Sequence, residues 1–145
     1  MLNITLIKSV LLAALLSLTT VAGAQTDLVV KAQLYNGVSF VSGGIGDQQQ
    51  AAIKDLADEF NVNLVFAAGE SGKYLADIIV RIYNAQGNLV LDALSKGPLF
   101  YAGLPAGEYT VNVSGFGEVY QENLTVKPDG QTKVVFTWPD KPAIM

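Results

Sequence analysis

The sequence predicts a mainly β protein: an antiparallel β-sandwich preceded by a β-hairpin and one amphipathic α-helix. Three observations predict it. Apolar and polar residues alternate at period two in short runs from Leu28 to Trp138. Clusters of Gly, Pro, Asn and Asp punctuate those runs at the spacing of a two-sheet sandwich. The stretch from Leu104 to Val113 is a strand opened by a tight turn. In it Pro105 cannot donate to a ladder and Gly107 accepts positive φ. Tyr109, Val111 and Val113 then share one face against Thr110 and Asn112.

In chain order, the N-terminus reads as a secretory leader spanning residues 1–24. Lys8 and the α-amine supply positive charge, Ser9 to Leu18 is apolar, and Ala22-Gly23-Ala24 is a small-x-small site, so cleavage is expected between Ala24 and Gln25. The apolar run falls short of the about 20 residues that cross a bilayer, so no membrane span is expected in the mature chain, Gln25 to Met145. That chain supports one core. The absence of Cys leaves stability to packing and removes the lipidated Cys of a bacterial lipoprotein, so a periplasmic location is expected, with secretion as the alternative.

Residues 25–61 read as an N-terminal extension. Leu28 to Tyr35 alternates as a strand, Asn36-Gly37 is a two-residue hairpin signal, and Val38 to Ser42 returns. A strict two-residue loop pairs Tyr35 with Val38 and Gln33 with Phe40, which leaves apolar groups on both faces and calls for a cover. Gly43-Gly44-Ile45-Gly46 breaks the strand. Asp47 reads as an N-cap, with Gln50 completing a capping box, and a helix is expected over Gln48 to Phe60 with Asn61 at its C-terminal cap.

Residues 62–138 read as the sandwich proper. Strands are expected at Val62 to Ala68, Tyr74 to Tyr83, Leu89 to Leu94, Leu99 to Ala102, the Leu104–Val113 stretch, Tyr120 to Val126 and Thr132 to Trp138. Gly69–Gly72, Ala85–Asn88, Lys96–Pro98, Gly115–Gly117 and Pro128–Gly130 turn the chain between them. Pro139 and Pro142 end regular structure, leaving 139–145 as a loose tail.

Tyr74-Leu-Ala-Asp-Ile-Ile-Val-Arg-Ile-Tyr83, Gly87, Gly97-Pro98 and Leu104-Pro-Ala-Gly-Glu-Tyr-Thr-Val111 together resemble the carboxypeptidase regulatory-like domain. The resemblance covers Val62 to Trp138 and implies a transthyretin-like β-sandwich. Residues before it resemble the extension of small exported proteins of Gram-negative bacteria that carry such a domain. Related sandwiches serve as spacers, interaction modules and carbohydrate binders, so the motif implies fold more sharply than function.

Composition excludes several chemistries. There is no His, which removes imidazole acid/base work, His-ligated metals and the purine-breakdown hydrolase activity found on transthyretin-like folds. The net charge of −4 and scattered basic residues argue against nucleic acid. Ser71-Gly72-Lys73 and Ser95-Lys96 place a hydroxyl beside an amine, but in turns, so they read as polar turn residues. The carboxylates show no calcium-loop spacing, and Asp55, Asp58 and Glu59 read as a solvated helix face. Gly43-Gly44-Ile45-Gly46 looks like an anion cradle without a Lys to follow, and reads as a connection. Leu104–Glu108 superficially matches a sortase signal but sits mid-chain. Lys, Asn and Glu are all present, yet no trio suited to an internal Lys–Asn isopeptide bond can be aligned.

Aromatic residues give the best binding hint. Phe100 and Trp138 are expected in the core. Tyr74, Phe116 and Tyr120 are the candidate binding surface, with Phe116 between two glycines expected at an exposed turn tip. The expected function is an exported, non-enzymatic binding or interaction module of the bacterial cell envelope, with a protein or glycan partner and no cofactor. A carbohydrate-binding module and an enzyme of unfamiliar type are the alternatives.

Overall fold

The computed structural model describes residues 30–140. The expected leader, its cleavage site at Ala24 and Gln25, and residues 141–145 lie outside the described residues. The described strands are β1 (Gln33–Tyr35), β2 (Val38–Gly43), β3 (Val62–Ala68), β4 (Ile78–Asn84), β5 (Leu89–Ser95), β6 (Leu99–Ala102), β7 (Gly107–Gly115), β8 (Glu118–Val126) and β9 (Thr132–Trp138), with one helix, α1 (Asp47–Lys54). They form a five-stranded sheet ordered β1-β2-β6-β3-β9 and a four-stranded sheet ordered β5-β4-β7-β8. The fold is a β-sandwich. One pair departs from the antiparallel pattern, since β3 and β9 run parallel from Val62↔Thr132 to Ala68↔Trp138.

The first hairpin adopts the register that its two-residue Asn36-Gly37 loop dictates, with Tyr35↔Val38 and Gln33↔Phe40. β2 then pairs with β6, so the hairpin extends the first sheet. Inward-facing residues of both sheets form one core, in which Phe66, Phe100, Leu64, Ile78, Ile82 and Val111 are fully buried. Phe40 stacks on Phe100 at 5.4 Å, and Phe66 meets Phe136 at 6.0 Å and Trp138 at 6.1 Å.

A second, smaller cluster lies on the outer face of the first sheet, where Ile53 and Phe60 cover Val41, Leu99 and Tyr101. The cover reaches Val41 of the hairpin but leaves Leu34, on the same face, 75% exposed. The helix is shorter than its apolar periodicity predicts. After Asp55 N donates to Ala51 O, the bonds switch to i−3 partners, and Ala57–Glu59 is a 3-10 turn. A helix of this length depends on the sheet beneath it, and the tighter turn still delivers Phe60 to the cluster.

Capping also differs from expectation. Gly46 is the N-cap, Asp47 is the first helical residue, and no capping box forms with Gln50. The neighbouring Gln49 does the work: its Oε1 accepts from Gly44 N and Ile45 N, both at 2.8 Å. The anion cradle suggested by the glycines is therefore filled by the chain's own amide. Asn61 does not cap the helix. Its Nδ2 donates to Leu104 O at 2.7 Å and its Oδ1 accepts from Leu104 N at 2.9 Å, an amide pair that pins the β6–β7 connection. The strand expected over Tyr74 to Tyr83 is broken at Asp77 (φ 61), leaving Tyr74 as an isolated bridge to Ala67 before β4.

The Leu104–Val113 stretch behaves as its residues dictate. Gly107 takes φ 156, Tyr109, Val111 and Val113 are buried, and the Tyr109 hydroxyl donates to Pro105 O at 2.6 Å. Burial pushes the Tyr109 pKa up.

Candidate functional site

The sandwich offers two places for chemistry, one at each end. The first gathers around the β7–β8 hairpin. Gly115 pairs with Glu118, so Phe116-Gly117 is a two-residue loop, and both loop residues have positive φ, at 53° and 78°. This is the type I′ geometry that Asn36-Gly37 also adopts, at 46° and 84°. Asn tolerates that conformation. A bulky aromatic is strained in it by about 1–2 kcal/mol, and Phe116 is nonetheless 54% exposed.

Strand register sets an apolar row beside that tip. Ile79 pairs with Leu94 on one side and Ser114 on the other, and Ser114 pairs with Val119. Leu94, Ile79 and Val119 thus line up across the outer face of the second sheet, and all three are exposed, Val119 at 69%. The next row is polar, where Arg81 Nε meets Asp92 Oδ1 at 3.3 Å, flanked by Asn112 and Gln121.

The three sequence candidates do not converge. Phe116 stands at the tip. Tyr120 faces inward at the sheet edge, half-buried, with its ring edge-on to Trp138 at 5.0 Å. Trp138 in turn donates from Nε1 to Gly115 O at 3.0 Å, so Tyr120 and Trp138 support the Phe116 turn from beneath. Tyr74 is exposed but belongs to the outer face of the first sheet, where it pairs with Ala67. Tyr101 lies on the same face; burial raises its pKa and the nearby Tyr74 adds to the rise. Phe100 and Trp138 are core residues, as expected. Sequence reasoning missed Ile79, Leu94 and Val119, because alternation marks which residues share a face but not which face goes uncovered.

The second place is a cleft of about 640 Å³ at the opposite end, between the Asn36-Gly37 tip, the 3-10 turn, the Gly103–Pro105 connection and the β8–β9 loop. Among the described residues its lining includes Asn36, Asp58, Glu59, Asn61 and Gln131 and no Lys or Arg. Gln131 Nε2 donates to Ala57 O at 2.6 Å and Phe60 O at 3.1 Å, tying the loop to the 3-10 turn. Such a lining accepts hydrogen bonds from hydroxyl or ammonium groups and offers no nucleophile with a base beside it.

The suspected nucleophile pairs resolve into structure. Ser71 Oγ donates to Asp140 Oδ1 at 2.6 Å, while Asp140 also accepts from the backbone N–H of Glu70 and Ser71. The Ser71 hydroxyl, then its amide, holds the Asp140 carboxyl below the usual aspartate value, with Glu70 N–H and Lys73 adding to the effect, so Asp140 is a poor base. Ser95 Oγ donates to Gly97 O at 2.8 Å. The parallel register sets Lys133 beside Asn63, whose Oδ1 is buried without a partner among the described residues, and their cross-strand row contains Tyr101 and no carboxylate. Among the described residues, no group of three or more His, Cys, Asp or Glu is placed to hold a metal ion, and no helix is long and apolar enough to cross a membrane.

The Asp140 latch gives a pH prediction. A depressed folded-state pKa contributes stability that is present above the unfolded aspartate value and lost as pH falls through the folded value. The Ser71 amide resonance is therefore expected to shift in acid together with the Asp140 carboxyl, with a midpoint below that of an unstructured aspartate. A midpoint at or above that value would contradict the latch.

Compared with known proteins, the chain matches no family model and no curated protein sequence.

Proposed function

We propose that the chain is an exported, non-enzymatic interaction module of the bacterial cell envelope, periplasmic or released, that takes a protein partner on the surface around Phe116. One observation carries this reading: an aromatic residue held at positive φ, exposed, beside an exposed apolar row. Strain of that kind persists where the side chain serves something other than folding. Export is supported by Lys8, the Ser9–Leu18 run and Ala22-Gly23-Ala24. The resemblance of Leu104–Val111 to carboxypeptidase regulatory-like domains supports a module rather than a catalyst. The self-satisfied Ser71–Asp140 and Ser95–Gly97 contacts point the same way.

A second reading, carbohydrate recognition, is supported by the cleft. Its carboxylates, amides and lack of cations suit a hydroxyl-rich ligand.

Phe116→Asn separates function from folding. Asn suits the type I′ turn, so the variant is expected to be as stable as the parent or about 0.5–1 kcal/mol more so. Immobilised parent and variant, each spanning Gln25 to Met145, are exposed to a cell-envelope extract, with protein and glycan measured on the same eluates. A protein retained by the parent and lost from the variant supports the reading. Equal retention by both contradicts it, and glycan enrichment that ignores Phe116 favours the cleft.

A further inference from the structure

We infer that β8 is a docking edge for an extended peptide segment carrying basic side chains, added to the second sheet as a further strand. This rests on the interaction-module reading and names how the partner binds. β8 is the outer strand of its sheet and pairs with β7 over nine unbroken positions, Glu118 to Val126. It holds no Pro, Gly or Lys. Native sheets blunt their edges by shortening them, by bulges, with Lys and Pro, or with charges on the inward side of the strand. The other edges carry several such devices: β1 has three residues, β5 follows an irregular register with β4, and β9 carries Lys133 and ends at Pro139; β8 carries only the carboxylates Glu118 and Glu122 on its inward side, a guard against self-pairing that a basic strand would neutralise. Among the described residues, the only hydrogen bond onto the open side of β8 comes from Thr132 Oγ1 to Thr125 O, near its end. Among the described residues, no hydrogen bond reaches that side between Glu118 and Asn123.

Charge selects the occupant. Glu118 and Glu122 lie on the same side of β8, flank Tyr120, and are exposed, and neither forms an ion pair among the described residues. Cross-strand neighbours interact most strongly when oppositely charged. An added strand with Lys or Arg opposite Glu118 and Glu122, four residues apart, and an apolar residue opposite Val119 meets both requirements. A second copy of the chain does not, because antiparallel pairing of two β8 strands centred on Tyr120 sets Glu118 of one against Glu122 of the other. Main-chain bonds supply the affinity and alternate side chains the specificity, as in other strand-addition complexes.

The test uses capped synthetic peptides about as long as β8, with lysine at every fourth position and alternating valine and threonine between, against the same peptide with glutamate for lysine. Binding is read by amide hydrogen exchange on the chain from Gln25 to Met145. The lysine peptide is expected to protect alternate amides of β8, and the glutamate peptide is not. The double variant Glu118→Lys and Glu122→Lys, checked for parental thermal stability, is expected to bind the lysine peptide about tenfold more weakly and to accept the glutamate peptide. Lack of binding, protection outside β8, or indifference to the charge reversal overturns the inference, as does self-association of the parent through β8. Overturning it while Phe116-dependent capture persists leaves the interaction module standing with a different docking mode.

Discussion

Replacing Gly97 with alanine is expected to destabilise the protein by about 3 kcal/mol or more, at the upper end of overpacking effects. Lys96-Gly97-Pro98 is the corner where the chain leaves β5 in one sheet and joins β6 in the other. The two backbones cross there so closely that a Cβ on Gly97 would clash with both the carbon and the oxygen of the Gly43 carbonyl. Neither side can retreat. Gly43 is held by its pairing with Leu99, and Gly97 O accepts the Ser95 hydroxyl in a fully buried position. Urea unfolding measures the loss. Gly103→Ala, where the nearest atom to a new Cβ is Ser39 O at 4.0 Å, is the matched control and is expected to change little. A Gly97→Ala variant within about 1 kcal/mol of the parent would mean that the corner is laxer than its geometry.

Phe66→Ala is expected to cost about 3–5 kcal/mol, the range for emptying a buried aromatic site. Phe66 has no exposed surface and contacts both Phe136 and Trp138. The effect should extend to the proposed surface. Trp138, the single tryptophan, rests on Phe66, on Tyr120 and on the Gly115 carbonyl. A cavity under it loosens the support of the Phe116 turn. Tryptophan fluorescence of the folded variant is expected to shift to the red as the indole gains solvent, alongside the loss in urea unfolding. An unshifted spectrum would uncouple the core from the turn.

Much of the fold is legible because its determinants are local. Asn36-Gly37 forces a two-residue loop, and that alone set the β1–β2 register. Period-two alternation located β3, flanking turn signals delimited β5, β6 and β9, and Leu104–Val113 announced both its turn and its buried face. Where competition between partners decides, local pattern falls short. Gln50 stands at the capping-box spacing, but Gln49 reaches the open amides of Gly44 and Ile45, so the neighbour wins. Asn61 follows a helix and looks like a cap, yet its amide satisfies the Leu104 backbone across the molecule. Asp77 reads as an ordinary strand residue until its positive φ divides the expected long strand. The parallel β3–β9 pair joins segments distant in sequence, and no local pattern announces it.

The candidate site divides in the same way. Phe116 was legible because two glycines frame it. Tyr120 and Tyr74 were singled out for their chemistry, but the sandwich puts one inside its edge and the other on a different face. Ile79, Leu94 and Val119 looked like ordinary strand residues. Their meaning emerges only when cross-strand register aligns them on a face that no described element covers.

The proposed binding surface lies at the Phe116 end of the second sheet. The most direct test is amide hydrogen exchange across the chain, with and without the envelope component that it retains. Slowed exchange from Gly115 to Gln121 is expected, with matching protection around Ile79 and Leu94. Protection confined to Asn36, Asp58 to Asn61 and Gln131 would contradict it and move recognition to the polar cleft.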